Sequence, residues 1–235
     1  MRSQTGLAKM KPKPGHLGLK YAEQFKDTSV VEVYHHRLPY SDEAINKLIE
    51  LVIDEPRAIL DVGCGTGDLA RRLVSMVERV DAVDFSPGES LHWMEWDIVL
   101  PLLHRLLTPR GYLALVTRET EHNPWDNRLQ ELINHFSTNQ EYLPYDLVEE
   151  LEQRKLFQSH GVLVTQPIPM KQSGEDYLQS FHSRNGFSRE RMGEKAATAF
   201  EEVARKVISP FLQDGQLLLS AISTVVWGLP QSPNA

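Results

Sequence analysis

The sequence predicts an α/β protein built on a largely parallel sheet with crossover helices. Three observations carry that prediction. An apolar run over 58–62 leads directly into glycines (AILDVGCGTG) and then into a helical pattern. A second apolar run follows over 80–85, and a third over 112–117 after a helical pattern at 97–107. Strand, helix, strand, then helix, strand is the order that parallel sheets with helical crossovers produce.

Each element has a local reason. Residues 1–20 place Lys9, Lys11, Lys13 and Lys20 among prolines and glycines, and a flexible tail is expected there. Residues 21–40 mix aromatics with charges and end in YHHRLPY, where Pro39 halts any helix. Over 41–52, Ser41 is a natural N-cap and Asp42 and Glu43 fill the first turn. Ile45, Leu48, Ile49 and Val52 then recur on one face, so a helix is expected. A second helix over 67–77 turns Leu69, Leu73, Val74 and Val77 inward. Pro109 and Gly111 make 108–111 a turn before the third strand. Beyond Trp125, helices are expected at 127–136 and 145–155 and a strand at 162–169. Helices at 174–184 and 190–208 and a last strand at 216–227 complete the chain.

No internal repeat or low-complexity linker divides the sequence. One domain over 21–230 is therefore expected. It comprises a lid and helices over 21–57, a binding core over 58–120 and C-terminal helices and strands over 121–230. A short tail follows at 231–235.

Composition bounds the function. The 235 residues carry a net charge of −7, with a pI near 5.7, 41% hydrophobic and 24% charged residues. That balance suits a soluble globular protein and argues against a nucleic-acid partner, which needs a basic stripe. The apolar stretch at 217–229 is too short to span a bilayer and is interrupted by Ser220, Ser223 and Thr224; a buried strand is expected. Cys64 is the single cysteine, so no internal disulfide forms, and the first residues lack an apolar secretory core. A soluble, cytoplasmic protein with no membrane partner is expected. His35, His36, His104, His122, His135, His160 and His182 show no metal-ligand spacing.

The glycine loop suggests the ligand. Gly63, Cys64, Gly65, Thr66 and Gly67 follow a strand and precede a helix, where a backbone without side chains can approach a ligand closely. A dinucleotide is one candidate, and a dinucleotide-binding oxidoreductase the corresponding reading. Two residues speak against it. Asp68 stands where the dinucleotide fingerprint wants a third glycine, and Asp61 places a carboxylate just before the loop. Such a charge repels a pyrophosphate and attracts an ammonium. Asp84, 23 residues beyond Asp61, ends the second strand, where a carboxylate can accept both hydroxyls of a ribose. A ligand with a cationic amino-acid end, a ribose and no phosphate is S-adenosylmethionine.

LDVGCGTGDLA followed by VDAVDFS resembles the first two motifs of the class I S-adenosylmethionine-dependent methyltransferases. GESLHWMEWD followed by LTPRGYLALV is similar to their strand-four edge and strand five. The likeness is to the small-molecule branch with a Leu-His-Trp signature, related to the ubiquinone-biosynthesis and trans-aconitate methyltransferases. YHHRLPY is similar to that branch's lid segment, with Leu38 where proline is usual.

The resemblance covers about 21–230 and implies a Rossmann-like three-layer sandwich with S-adenosylmethionine as cofactor and a small-molecule methyl acceptor. It implies that Asp61, Gly63, Cys64 and Gly65 hold the methionine part, Asp84 the ribose, and Phe85 the adenine side. It gives Tyr34, Arg37 and Tyr40 to the lid, and turns His92 and Trp93 towards the methyl-transfer site, with His92 the candidate base. Plainer roles exist for each: a loop cap for Asp61, a turn for Asp84, packing for His92 and Trp93.

One spacing departs from the family. Eleven residues separate Asp84 from Trp96, where the family fold places a helix, a third strand and most of a fourth. A single crossover with its helix needs about 10–12 residues. The sequence therefore predicts a shortened sheet that lacks roughly 40 residues of family structure, by the same crossover lengths. Two expectations follow. The loss leaves unpaired backbone inside a core, or the strand at 80–85 slides into the fourth-strand place. A non-catalytic, internally truncated scaffold with weak or no cofactor binding is the alternative function.

Overall fold

Local signals and observed elements agree closely through the first half of the chain. The structure is a computed structural model that describes residues 13–18, 23–84 and 91–232. A short helix α1 (Thr28–Glu32) and a 3-10 turn (Tyr34–His36) lead into α2 (Asp42–Leu51). Ser41 caps α2 as its position suggests, accepting the Ala44 N–H at 3.0 Å. The chain continues through β1 (Ala58–Val62), α3 (Asp68–Leu73) and β2 (Arg79–Val83). It then forms α4 (Trp96–Leu106) and β3 (Leu113–Thr120). Helix α3 stops short of the expected 67–77 because the Glu78 and Arg79 N–H groups turn to the Arg57 carbonyl, at 3.0 and 3.2 Å, and start β2.

The second half contains α5 (Asp126–Phe136), α6 (Leu147–Gln153), β4 (Phe157–Val164) and β5 (Ile168–Ser173). It closes with α7 (Gly174–Phe181), α8 (Arg189–Met192), α9 (Glu194–Ile208) and β6 (Gln216–Pro230). The single strand expected at 162–169 is two strands. Both pair antiparallel with β6, β4 along 224–230 and β5 along 216–221. Thr165 lies between them and exchanges hydrogen bonds with Ser223, its hydroxyl accepting the Ser223 N–H at 3.0 Å. The helix expected at 190–208 is likewise two, broken at Gly193.

Strand β6 organises the sheet, because β3, β4 and β5 all pair with it. Successive residues point to opposite faces of a strand. Val225 packs with α2 residues Ala44, Ile45 and Leu48, while Val226 packs with Trp96, Leu100 and Leu151 of α4 and α6. Ala114 and Leu115 of β3 divide between the same two clusters. The sheet is thus covered by helices on both faces, the three-layer arrangement the resemblance implies. The parallel sheet expected from the alternation is found only in β1–β2; β3, β4 and β5 all run antiparallel to β6, because the long last strand pairs with each of them. A third cluster joins Trp125, Tyr177, Phe181 and Phe200 to Leu217 and Leu219 of β6. Among the described residues no helix is long and apolar enough to cross a membrane, and the apolar run at 217–229 lies in β6.

The short middle has a visible consequence: the sheet is split. Among the described residues β1 pairs in parallel with β2 alone, and β3 pairs only with β6. Ala58–Gly63 and Gly111–Arg118, in unbroken succession, line one cavity of about 690 Å³. Residues from both faces of each strand meet this cavity, so it runs along the two strand edges. It lies between β1 and β3. Strand β2 does not slide into that place, since it never pairs with β3. The backbone edge is not sealed in a core either. Leu60 of β1 keeps 43% of its surface exposed, so the unpaired groups face open space and escape the full cost of burial.

The expected tail needs one correction. Leu17 is 3% exposed and packs with Trp96, Leu100, Leu151, Leu156 and Phe157. Lys13 donates to the Met94 carbonyl at 3.0 Å and lies 5.0 Å from the centre of the Trp96 ring. Burial pulls the Lys13 pKa down to about 8. Residues 13–18 therefore belong to the packed body: one buried leucine outweighs the prolines and lysines around it. Lys9, Lys11 and Lys20 lie outside the described residues.

Candidate cofactor and acceptor site

Strand β1 ends at Val62 and the chain turns through three glycines with positive φ: 77° at Gly63, 56° at Gly65 and 83° at Gly67. Only glycine adopts such angles freely, so the chain reverses tightly at the strand end. The Gly63 and Cys64 N–H groups bond to the Val83 carbonyl at 2.9 and 3.3 Å, tying the loop to β2. The Asp84 carboxylate accepts the Gly65 N–H. A Cβ added to Gly65 would stand 3.2 Å from the Tyr34 hydroxyl, so the lid lies directly over the loop. Burial pushes the Cys64 thiol up, away from the reactive thiolate.

Asp61 is the notable group here. Its Oδ2 is buried with no hydrogen-bond partner. Burial raises its pKa, the Ala70 backbone N–H acts the other way, and the nearby Asp84 charge adds to the rise. An orphaned buried carboxylate oxygen is costly unless a ligand supplies a donor.

The lid residues hold one another. Arg37 donates to the Tyr34 hydroxyl at 3.0 Å, to Ser183 Oγ at 2.9 Å and to the Ser183 carbonyl, and stacks 4.1 Å over the Tyr34 ring. Burial lowers its pKa. Arg118 of β3 stacks 4.3 Å over Tyr40 and pairs with Asp68 at 3.1 Å. Burial raises the Tyr40 phenol.

His92 and Trp93 occupy a 3-10 turn (Leu91–Trp93) that also lines the long cavity. The Trp96 indole holds this turn by donating to the Leu91 carbonyl at 2.7 Å. His92 Nδ1 is hydrogen-bonded to the Tyr145 hydroxyl. Burial, helped by Lys13, drops the His92 pKa to about 4, so the ring is neutral at pH 7. Below an unfolded pKa near 6.5 the unfolded chain takes a proton that the folded chain refuses. Stability should therefore fall from about pH 6.5 to pH 4, by about 2–4 kcal/mol for this group. His92→Phe is expected to remove most of that fall in urea melts taken across the range. Superimposable profiles for the two proteins would put the imidazole in solvent.

Sequence reasoning brought Asp61, the glycine loop, Asp84, Tyr34, Arg37 and Tyr40 to one place, and the structure does join them. Phe85 lies outside the described residues. Tyr145, Arg118 and Arg184 were missed. Arg118 follows the apolar strand signal that ends at 117, and only burial gives it meaning. Among the described residues no cluster of three or more His, Cys, Asp or Glu is placed to hold a metal ion.

No protein-family model and no curated protein matches the sequence. Solved structures do match. A candidate type II methyltransferase from Anaeromyxobacter dehalogenans superposes with a TM-score of 0.56 at 18% identity, over 83% of this chain and 99% of that one. The fold is that of a class I methyltransferase. Two further structures are similar at lower overlap. One is phosphoethanolamine N-methyltransferase 2 of Haemonchus contortus, with phosphomonomethylethanolamine and S-adenosylhomocysteine bound (TM-score 0.44, 14% identity, 94% of this chain and 62% of that one). The other is a candidate sarcosine dimethylglycine methyltransferase of Galdieria sulphuraria (TM-score 0.43, 14% identity, 85% and 98%). In this methyltransferase fold the glycine loop stands at the carboxyl end of β1, where open α/β sheets bind ligands.

Proposed function

We propose that this chain is an S-adenosylmethionine-dependent methyltransferase acting on a small-molecule acceptor. The observation that carries the reading is Asp61, whose buried and unpartnered oxygen stands directly before a loop of positive-φ glycines. An amino-acid ammonium satisfies that oxygen; a pyrophosphate would be repelled by it. Gly63, Cys64 and Gly65 then border the methionine part through their backbone. In this reading Asp84, at the end of β2, takes the ribose hydroxyls, and Phe85, outside the described residues, keeps the adenine-side role that the resemblance implies.

S-adenosylmethionine supplies an already activated methyl group when bound. The work left to the protein is positioning and exclusion of water. Tyr34, Arg37 and Tyr40 cover the loop and do both, and Trp93 extends the wall. His92 is uncharged at neutral pH, the form a base needs, but a pKa of about 4 leaves little driving force for removing a proton. Orientation rather than base strength is the main lever.

A second reading rests on the split sheet: the fold persists as a scaffold without turnover. A thermal melt with and without saturating S-adenosylhomocysteine separates the two. A ligand that binds only the folded state raises the midpoint, by about 2.7 kcal/mol of stability at a concentration 100 times Kd. We expect a cooperative melt that shifts upward. A cooperative melt with no shift supports the scaffold.

A further inference from the structure

Arg184 follows α7, and among the described residues its guanidinium makes no hydrogen bond or ion pair; its close contact is the face of Phe181, 4.1 Å away. The residue is exposed and lines a second cavity, of about 590 Å³. The protein around it lowers its pKa, while Tyr177 and the Asp126 charge act the other way. Arg37 lines the same cavity. Its bonds to Ser183 place it beside Arg184, and none of its partners is a carboxylate. Arg118 lines it too, with Asp68 as its counter-charge. Two carboxylates, Glu119 and Asp126, also reach this space, but neither forms an ion pair with an arginine. Asp126 accepts the Asn123 N–H at 2.7 Å.

Arg37 and Arg118 line both cavities, so they form the wall between the glycine-loop side and the Arg184 side. Three guanidiniums on one cavity wall favour an anion there, since the two carboxylates that reach it pair with none of them. The planar guanidinium fork matches a carboxylate or phosphate with two parallel hydrogen bonds. We infer that the cavity behind Arg37 and Arg118 holds an anionic group of the methyl acceptor, a carboxylate or a phosphate, with Arg184 as its principal anchor. This rests on the methyltransferase reading for the word acceptor; the anion site itself does not. The anchored anion lies on the far side of the arginine wall from the glycine loop. The atom that receives the methyl group is therefore a different part of the same molecule, reaching between Arg37 and Arg118. Leu129, Ile133 and Phe181 line the same space and suit an apolar body attached to the anion.

The test uses the whole chain and three probes: benzoate, inorganic phosphate and the neutral benzamide. Melting midpoints are read at matched ionic strength, with and without S-adenosylhomocysteine. Benzoate or phosphate should raise the midpoint and benzamide should not. A benzoate response alone assigns a carboxylate, and a phosphate response alone a phosphoryl group. Arg184→Met should weaken the anion response at least about tenfold, as loss of a charged hydrogen-bonding partner does. It should leave the S-adenosylhomocysteine shift intact. Arg184→Gln serves the same comparison if the methionine variant does not melt cooperatively. The inference is overturned if neither anion outdoes benzamide, or if the Arg184 variants respond as the unaltered protein does. An anion response without any S-adenosylhomocysteine shift strikes the methyltransferase reading alone.

Discussion

Asp61→Asn is expected to remove most of the rise in melting midpoint given by S-adenosylhomocysteine, while leaving the ligand-free protein at least as stable at pH 7. The substitution keeps the shape of the side chain and an oxygen for the Ala70 N–H. It removes the charge that an ammonium would meet. Losing one member of a buried, hydrogen-bonded charge pair costs about 2–5 kcal/mol, so a loss near 100-fold in affinity is expected. At a concentration 100 times the original Kd, the ligand's contribution falls from about 2.7 kcal/mol to about 0.4 kcal/mol. For a chain of this size that turns a shift of about 5–10 °C into about 1 °C. A full shift in the variant would remove Asp61 from the site.

The ligand-free half of this prediction follows from the direction of the pKa. The Asp61 pKa is raised, so the folded state binds a proton more readily than the unfolded chain does. Below the ordinary carboxylate pKa the group stabilises the fold relative to its charged state. That contribution is lost as pH rises through the elevated folded value. At pH 7 the unaltered protein carries a buried charge that the asparagine variant lacks. Comparing the two proteins from pH 3 to pH 7 should show their stabilities diverging in favour of the variant as pH rises. Parallel curves would mean that water or a neighbour already satisfies the oxygen.

What the sequence made legible was mostly local. Strand β1 matches its expected bounds because an apolar run that ends in glycine leaves little choice of conformation. Helix α2 matches because its cap, acidic first turn and apolar face agree. The glycine loop could be read because its chemistry is contiguous along the chain. Long-range features were harder. The division of β4 from β5 depends on which stretch of β6 each one meets, and Thr165 carries no local mark of it. Arg184 looks like any surface arginine until folding gathers it with Arg37 and Arg118 on one cavity. The split sheet lies between these cases. Counting residues from Asp84 to Trp96 predicts that a helix and two further strands do not fit. Only the pairing pattern shows that β2 stays with β1 and that the edges remain open.

That open slot makes β6 more critical than a central strand usually is, and Gly228→Val is expected to prevent stable folding. Gly228 sits opposite Leu113 of β3 and Ser159 of β4. A Cβ there would stand 2.0 Å from the Gln158 carbonyl oxygen and 2.8 Å from the Ser159 Cα. Both are backbone atoms, and neither can rotate away. Relief requires β4 to leave β6, which uncovers Phe157 and the α4–α6 cluster it packs against. Core disruption of that kind exceeds about 4 kcal/mol, against a total stability of about 5–15 kcal/mol for a typical chain. A continuous sheet could share the strain with further strands on the β3 side. Among the described residues β3 has no partner beyond β6, and β1 and β2 form a separate two-stranded sheet packed against the α2 cluster. Leu218→Thr is the control, because Leu218 lies on the same strand but is 49% exposed. It should change stability by less than about 1 kcal/mol. Urea unfolding followed by circular dichroism reads both variants. A cooperative transition for Gly228→Val within about 1 kcal/mol of the unaltered protein would mean that β4 gives way without loss, and that β6 does not hold the sheet together.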